Sequence, residues 1–235
     1  MPLVNSILSD ARELLREAWR AVRARPAIFF AAFPVAAILA AILFFPHDVA
    51  ISDRIYAGRT EFMRDIARRF SAYADYRLSL ELFAVCWLFG LWKKRRDWKR
   101  LGLAIFLAAS LAGAFDTTIR VLTGRPRPCA NLPDHFTGLQ LTDHYKQSFP
   151  SAHSATSMAT AGAIAVAAPG VGIPFLIFSF GVPWSRLYMH DHYLSDITIG
   201  GLIGLWFGAA FGLAHRKISR GESSQSLGKK DHGQD

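Results

Sequence analysis

The chain has 235 residues, 51% of them hydrophobic, and 27 lysines and arginines against 18 acids, for a formal net charge of +9. This length and apolarity exclude an ordinary soluble multidomain protein and point to one unit built in a lipid bilayer. Two cysteines, Cys86 and Cys129, are too few for a disulfide framework, and no metal-type cysteine spacing occurs.

Residues 1–26 form the first segment. Val4, Ile7, Leu8, Ala11, Leu14, Leu15, Ala18 and Trp19 recur at helical spacing with arginines opposite. This predicts an amphipathic helix, either lying on the inner leaflet or packed against the protein. Six apolar runs follow, Ala27–Phe45, Leu78–Trp92, Leu101–Ile119, Ser154–Ala168, Gly172–Trp184 and Ile197–Ala214. The first starts too late and runs too long for a signal peptide and reads as a retained span. The second, fourth and fifth fall short of the roughly 17 residues that a span needs, unless their polar flanks extend the helix. The alternative for such runs is a buried helical core. The expected fold is all-α: a polytopic membrane bundle of six transmembrane helices, residues 27–216, plus the N-terminal helix. Residues 217–235, polar and glycine-containing, read as a disordered cytoplasmic tail. Between the first two runs, Phe62, Met63, Ile66 and Phe70 repeat the amphipathic pattern and suggest a small roof.

The positive charge has a position. The N-terminal arm, the "KKRRDWKR" loop and the tail together hold sixteen of the 27 basic residues. With both termini cytoplasmic, all three segments fall inside, as basic loops do. The charge is thereby explained as orientation, without nucleic acid. The loops 46–77, 120–153 and 185–196 then face outside.

Three clusters sit in those outer loops: "DTTIRVLTGRPRP" (116–128), "SFPSAHSAT" (148–156) and "SRLYMHDHYLSD" (185–196). Ionisable groups at a membrane boundary are costly and mark function. Arg120, Arg127 and Arg186 are permanent forked cations suited to phosphate. Pro150 ends a loop and Ser151 reads as an N-cap, which points the backbone N–H groups of Ala152 and His153 at an anion. His192 and Asp196 lie four apart, so on one helix face the carboxylate orients the imidazole. This set can run covalent phosphoryl transfer. His192 attacks phosphorus, His153 protonates the leaving oxygen, and water cleaves the phosphohistidine. The arginines stabilise the equatorial oxygens, the task of metal ions elsewhere. No metal and no cofactor is expected. His135, His144 and His190 read as solvated loop residues, Asp191 as a rim residue and Asp116 as an ion-pair partner of Arg120 one helical turn on. Gly200, Gly204, Gly208 and Gly212 form a small-residue ladder that packs α-helices closely, inside the bundle in preference to a dimer interface.

The three clusters resemble the signature of the type 2 phosphatidic acid phosphatase (PAP2) superfamily, which includes bacterial acid phosphatases and vanadium haloperoxidases. That signature is Lys-x6-Arg-Pro, Pro-Ser-Gly-His and Ser-Arg-x5-His-x3-Asp. Here it reads Arg120-x6-Arg127-Pro128, Pro150-Ser151-Ala152-His153 and Ser185-Arg186-x5-His192-x3-Asp196. The resemblance covers about residues 78–214. Arg120 stands in place of the lysine and Ala152 in place of the glycine, which puts the phosphate geometry in doubt but removes no proton-transfer group. The resemblance implies a hydrolase of the bacterial inner membrane with its site on the outer, periplasmic face. The implied substrate is a phosphorylated lipid: undecaprenyl pyrophosphate, phosphatidate, phosphatidylglycerophosphate or lipid A phosphate. The alternatives are a lipid phosphotransferase and a catalytically inactive protein that binds phosphate lipids.

Overall fold

The computed structural model describes residues 2–73 and 76–231. Every regular element among them is helical, as the periodicity predicts. Ten α-helices follow in chain order: α1 Pro2–Arg23, α2 Phe33–Phe44, α3 Asp48–Ala57, α4 Glu61–Tyr73, α5 Tyr76–Trp92, α6 Arg96–Thr123, α7 Ala152–Ala167, α8 Pro169–Ser179, α9 Gly181–Tyr188 and α10 Leu194–Asp231.

Four stretches are long and apolar enough to cross a membrane: Ala27–Ala57 (31 residues), Arg96–Ala130 (35), Pro169–Tyr188 (20) and Leu194–Glu222 (29). The expectation of six is therefore met for four. Flanking residues lengthen the fifth apolar run, because α8 and α9 continue one another across Phe180. They add two residues to the second and, net, one to the fourth. α5 has 17 residues and α7 has 16, about 24–26 Å of helix at 1.5 Å per residue. The protein is a multi-pass membrane bundle. Its lipid-facing surface carries exposed apolar side chains such as Ile38, Ile42, Leu88 and Ile177.

α7 is the central helix. Every residue from Ser154 to Ala163 is buried, with α6, α8 and α10 packed around it. The contact with α10 is closest of all. A Cβ added to Gly200 would lie 2.5 Å from the Ser151 carbonyl oxygen. At Gly204 it would lie 2.2 Å from the Ala155 carbonyl oxygen, and at Gly208 2.6 Å from that of Ala159. The glycine ladder thus packs α10 against α7 within one chain. Each glycine removes the side chain that would hold the backbones apart.

The remaining elements close the two ends. Pro34 lacks an N–H and its ring crowds the carbonyl four residues back. The turn before it, Ala27–Ala32, is accordingly π-helical, and the Phe33 N–H reaches back to Ile28. α1 does not lie apart from the bundle. Leu14, Ala18 and Val22 are buried in its core. Asp10 accepts from Arg96 (2.7 Å) and Arg100 (2.9 Å), and Arg100 also bonds Glu13 (2.8 Å) and Glu222 (2.5 Å). A second apolar stripe on α1, with Val4, Leu8, Leu15 and Trp19, remains exposed. At the other end α4 packs on α9, with Phe70 against Trp184 and Phe178, as the expected roof. The tail expected to lack structure is helical as far as Asp231; residues 232–235 lie outside the described ones.

Substituting Gly204 by Ala inserts a methyl against the Ala155 carbonyl. We expect about 1–3 kcal/mol of lost stability from this overpacking, read as a lower melting temperature of the detergent-purified protein. Gly221→Ala is the control, since nothing lies within 4 Å of its added Cβ, and it should be neutral or slightly stabilising.

Candidate active site

α6 stops at Gly124, which adopts a left-handed conformation (φ 61°) and returns its N–H to the Arg120 carbonyl at 3.2 Å. No other residue fits there, because an added Cβ would meet the Gly138 carbonyl oxygen at 2.0 Å. Pro126 and Pro128 then keep the chain extended, and in an extended segment residues i and i+2 share one side relative to i+1 only while the backbone stays regular. Around these prolines Arg125 and Arg127 part company. Arg125 is 1% exposed, whereas Arg127 is partly exposed.

Arg125 anchors the site from below. Its guanidinium bonds both oxygens of Asp134 (2.7 and 2.6 Å), Asp48 (3.0 Å), Asp196 (2.7 Å) and the Ser195 hydroxyl (2.7 Å). The Tyr193 ring stacks on it at 4.2 Å. Asp48 in turn accepts from the Ser195 N–H at 3.0 Å and from the Ser195 hydroxyl. One buried cation therefore ties α3, the loop after α6 and the start of α10 into a single unit. The sequence reading missed Arg125, Asp48 and Asp134. The doubled arginine of "GRPRP" was the available signal; Asp48, 77 residues away, gave none.

His192 is fully buried in the loop between α9 and α10. Its Nδ1 lies 2.8 Å from the Ser148 carbonyl oxygen. A carbonyl only accepts, so Nδ1 carries the proton and Nε2 carries the lone pair. Nε2 has no hydrogen-bond partner among the described residues. The expected orientation by Asp196 takes a different form. Asp196 Oδ2 is 3.6 Å from Nδ1, and its bonds go to the Ser148 hydroxyl (2.5 Å), the Tyr193 N–H (2.9 Å) and Arg125. Asp196 thus fixes Ser148, and the Ser148 carbonyl fixes the ring. Burial holds the His192 pKa well below its ordinary value, and the charges of Arg127, Arg186 and His153 lower it further.

Two of these groups, Arg127 and Arg186, are permanent cations. Arg127 is held by the His144 and Gln147 carbonyls (2.9 and 3.4 Å). Arg186 donates to the Ser71 hydroxyl at 2.6 Å and pairs with Asp191 at 3.1 Å, which gives the rim acid and the roof helix a positioning task. Ser151 occupies the N-cap of α7 but makes no side-chain cap bond. It is buried, its hydroxyl accepting from Ser154 (3.1 Å) and its N–H bonding the Asp196 carbonyl (3.1 Å). The N–H groups of the first helical turn beyond it begin at Ala152. Ala152 and His153 line a cleft of about 670 Å³ with Arg120, Thr117, Gly113 and Tyr76, between α5, α6 and α7. The cleft joins a cation and an imidazole at one end to small side chains at the other.

Two expectations are corrected. His190 is not a solvated loop residue. It is 8% exposed, bonds the Ser52 hydroxyl at 3.0 Å and stacks on Tyr56. Asp116 does not bond Arg120. It is fully buried with neither oxygen hydrogen-bonded among the described residues, and Arg120 Nη2 faces Thr117 Oγ1 at 3.5 Å.

Comparison with known proteins gives a consistent family. The profile of the PAP2 superfamily matches residues 98–220. The chain is 31% identical over 144 residues to decaprenylphosphoryl-5-phosphoribose phosphatase of Mycobacterium tuberculosis, covering 61% of this chain and 75% of that one. It is 28% identical over 114 residues to lipid A 1-phosphatase of Rhizobium johnstonii, covering 46% and 45%. Its fold is similar to a PAP2-type phosphatidylglycerolphosphate phosphatase from Bacillus subtilis (TM-score 0.57, 20% identity, 86% of this chain and 96% of that one). It is also similar to Aquifex aeolicus LpxE (TM-score 0.51, 22% identity, 68% and 92%).

Removing Arg125 strands buried carboxylates. Arg125→Met should cost about 3–5 kcal/mol, seen as loss of monodisperse folded protein, while Asp134→Asn should be milder because Asp134 is the more exposed partner. The His192 ring gives a second expectation. Titrated by NMR in detergent, it should protonate below the ordinary value near 6.5, and Arg127→Gln should move that midpoint upward by removing a cation. The unfolded chain binds the proton that the buried ring refuses, so stability should decline as pH falls below about 6.5 toward the folded pKa.

Proposed function

This chain belongs to the PAP2 superfamily, and from that premise we propose that it hydrolyses a lipid phosphate through a phosphohistidine formed on His192. The observation that carries the reading is the His192 ring: buried, held well below its ordinary pKa by burial and by the charges of Arg127 and Arg186, its Nδ1 proton committed to the Ser148 carbonyl and its Nε2 without a partner among the described residues. A neutral imidazole with a defined lone pair is a nucleophile, and the cations beside it suit a phosphoryl group.

In this mechanism the phosphoryl group sits among Arg120, Arg127 and Arg186, with the Ala152 and His153 N–H groups at the start of α7. Nε2 forms the N–P bond as the P–O bond to the lipid breaks. His153 gives its proton to the departing oxygen. It then takes a proton from water, which attacks phosphorus, breaks the N–P bond and releases inorganic phosphate. Asp196 acts through Ser148, holding the carbonyl that keeps the ring in one tautomer. The dense negative charge of a phosphate monoester fits three arginines better than the single charge of a diester does. The lipid chain follows the cleft from Arg120 and His153 toward Gly113 and Tyr76. Relatives that act on decaprenylphosphoryl-5-phosphoribose and lipid A support a lipid-borne phosphate. The clustering of basic residues in the arm, the "KKRRDWKR" loop and the tail supports cytoplasmic termini and a site on the outer face.

The test compares a lipid phosphate with p-nitrophenyl phosphate, whose leaving group needs little protonation. Loss of general acid help should cost about 10²–10⁴-fold on the lipid. His153→Ala should recover much of that loss on the activated substrate, whereas His192→Ala should remain inactive on both. Trapping of a phosphoenzyme by His192→Ala, or equal defects on both substrates for His153→Ala, would reject the assignment.

A further inference from the structure

About 20 residues beyond Asp196 along α10, roughly 30 Å at the helical rise, lies a second cationic cleft. It measures about 600 Å³, and Arg20, Arg25, Arg216, Lys217 and Arg220 line it from the end of α1, the α1–α2 junction and the end of the α10 apolar run. Ala21, Ala24 and Leu213 form its floor. Glu17 bonds Arg20 (2.5 Å) and Lys217 (2.7 Å), while Arg25 and Arg216 have no ion-pair partner among the described residues. Its surroundings are those of a membrane boundary. Trp19 is exposed beside Arg20, and the exposed Ile28 and Phe30 follow Arg25 directly into the first membrane stretch. None of the residues at the catalytic end reaches this cleft.

We infer that this cleft is a binding site for an anionic glycerophospholipid of the leaflet opposite the catalytic end. Its phosphate lies among the five cations, and its acyl chains run down past Ile28 and Phe30. The charge balance selects an anionic head over a zwitterionic one. The apolar floor and the adjoining lipid-facing side chains select a lipid over a soluble anion. Basic pockets between membrane helices recognise head groups in this way. Because the cleft joins α1 to α10, an occupied site also clamps the N-terminal helix to the bundle.

The experiment is native mass spectrometry of the full-length detergent-purified protein with added phosphatidylglycerol or phosphatidylcholine. Wild type should retain phosphatidylglycerol on the order of tenfold better than phosphatidylcholine. Arg25→Gln/Arg216→Gln should abolish that preference, and Arg25→Lys/Arg216→Lys should keep it, which separates charge from misfolding. Hydrolysis of p-nitrophenyl phosphate, measured in parallel, should be unchanged in both variants, so this result stands or falls apart from the catalytic proposal. Equal retention of the two lipids by wild type, or an unchanged preference in the glutamine variant, would overturn the inference. Displacement of phosphatidylglycerol by millimolar inorganic phosphate would overturn it too, in favour of a soluble-anion site.

Discussion

Gly200, Gly204 and Gly208 bring the α10 backbone against the carbonyls of Ser151, Ala155 and Ala159, and the site depends on that approach. At this separation the Ser151 N–H reaches the Asp196 carbonyl at 3.1 Å. The N-terminus of α7, with His153, is thereby fixed beside the loop that carries His192. In a bilayer the hydrophobic effect gives no reason for two apolar helices to meet. Close van der Waals contact supplies one, and glycine is what makes the contact close.

Above that contact the structure is polar and built on buried charge. Arg125 gathers Asp48, Asp134 and Asp196 from three parts of the chain, and Asp196 passes the constraint through Ser148 to His192. A buried cation with several carboxylates is costly to assemble and is weak evidence of stability by itself. Its effect here is geometric. It leaves the His192 ring one orientation, with Nδ1 on the Ser148 carbonyl and Nε2 unbonded among the described residues. Arg127, which is partly exposed, and Arg125, which holds the scaffold, are two residues apart in "GRPRP", and burial divides their tasks.

The two membrane faces carry different chemistry. At one face, arginines surround a neutral imidazole and a cleft of small side chains opens between α5, α6 and α7. At the other, Asp10, Arg96, Arg100 and Glu222 dock α1, and Arg20, Arg25, Arg216, Lys217 and Arg220 line a separate cleft. The stretches of α6 and α10 between them, Leu101–Phe115 and Ile197–Ala214, carry no charged residue, so the span separates the two groups of charge.

Local composition by itself determined the helical class, the membrane setting and the members of the three clusters, because hydropathy and motif spacing are properties of contiguous residues. His192, His153, Arg127 and Arg186 were legible for that reason. The number of spans was not, since how far polar flanks extend a helix is set by its neighbours; they bring the Pro169–Tyr188 stretch to 20 residues but α5 only to 17 and α7 to 16. Nor was the seating of α1, whose amphipathic pattern suits a lipid surface and a protein surface equally. Only the tertiary structure decided that Arg125 is buried, that His190 is packed and that Asp196 reaches His192 through Ser148. Those bonds join residues 44 to 138 positions apart, and a pairing over that distance leaves no periodic trace in the sequence.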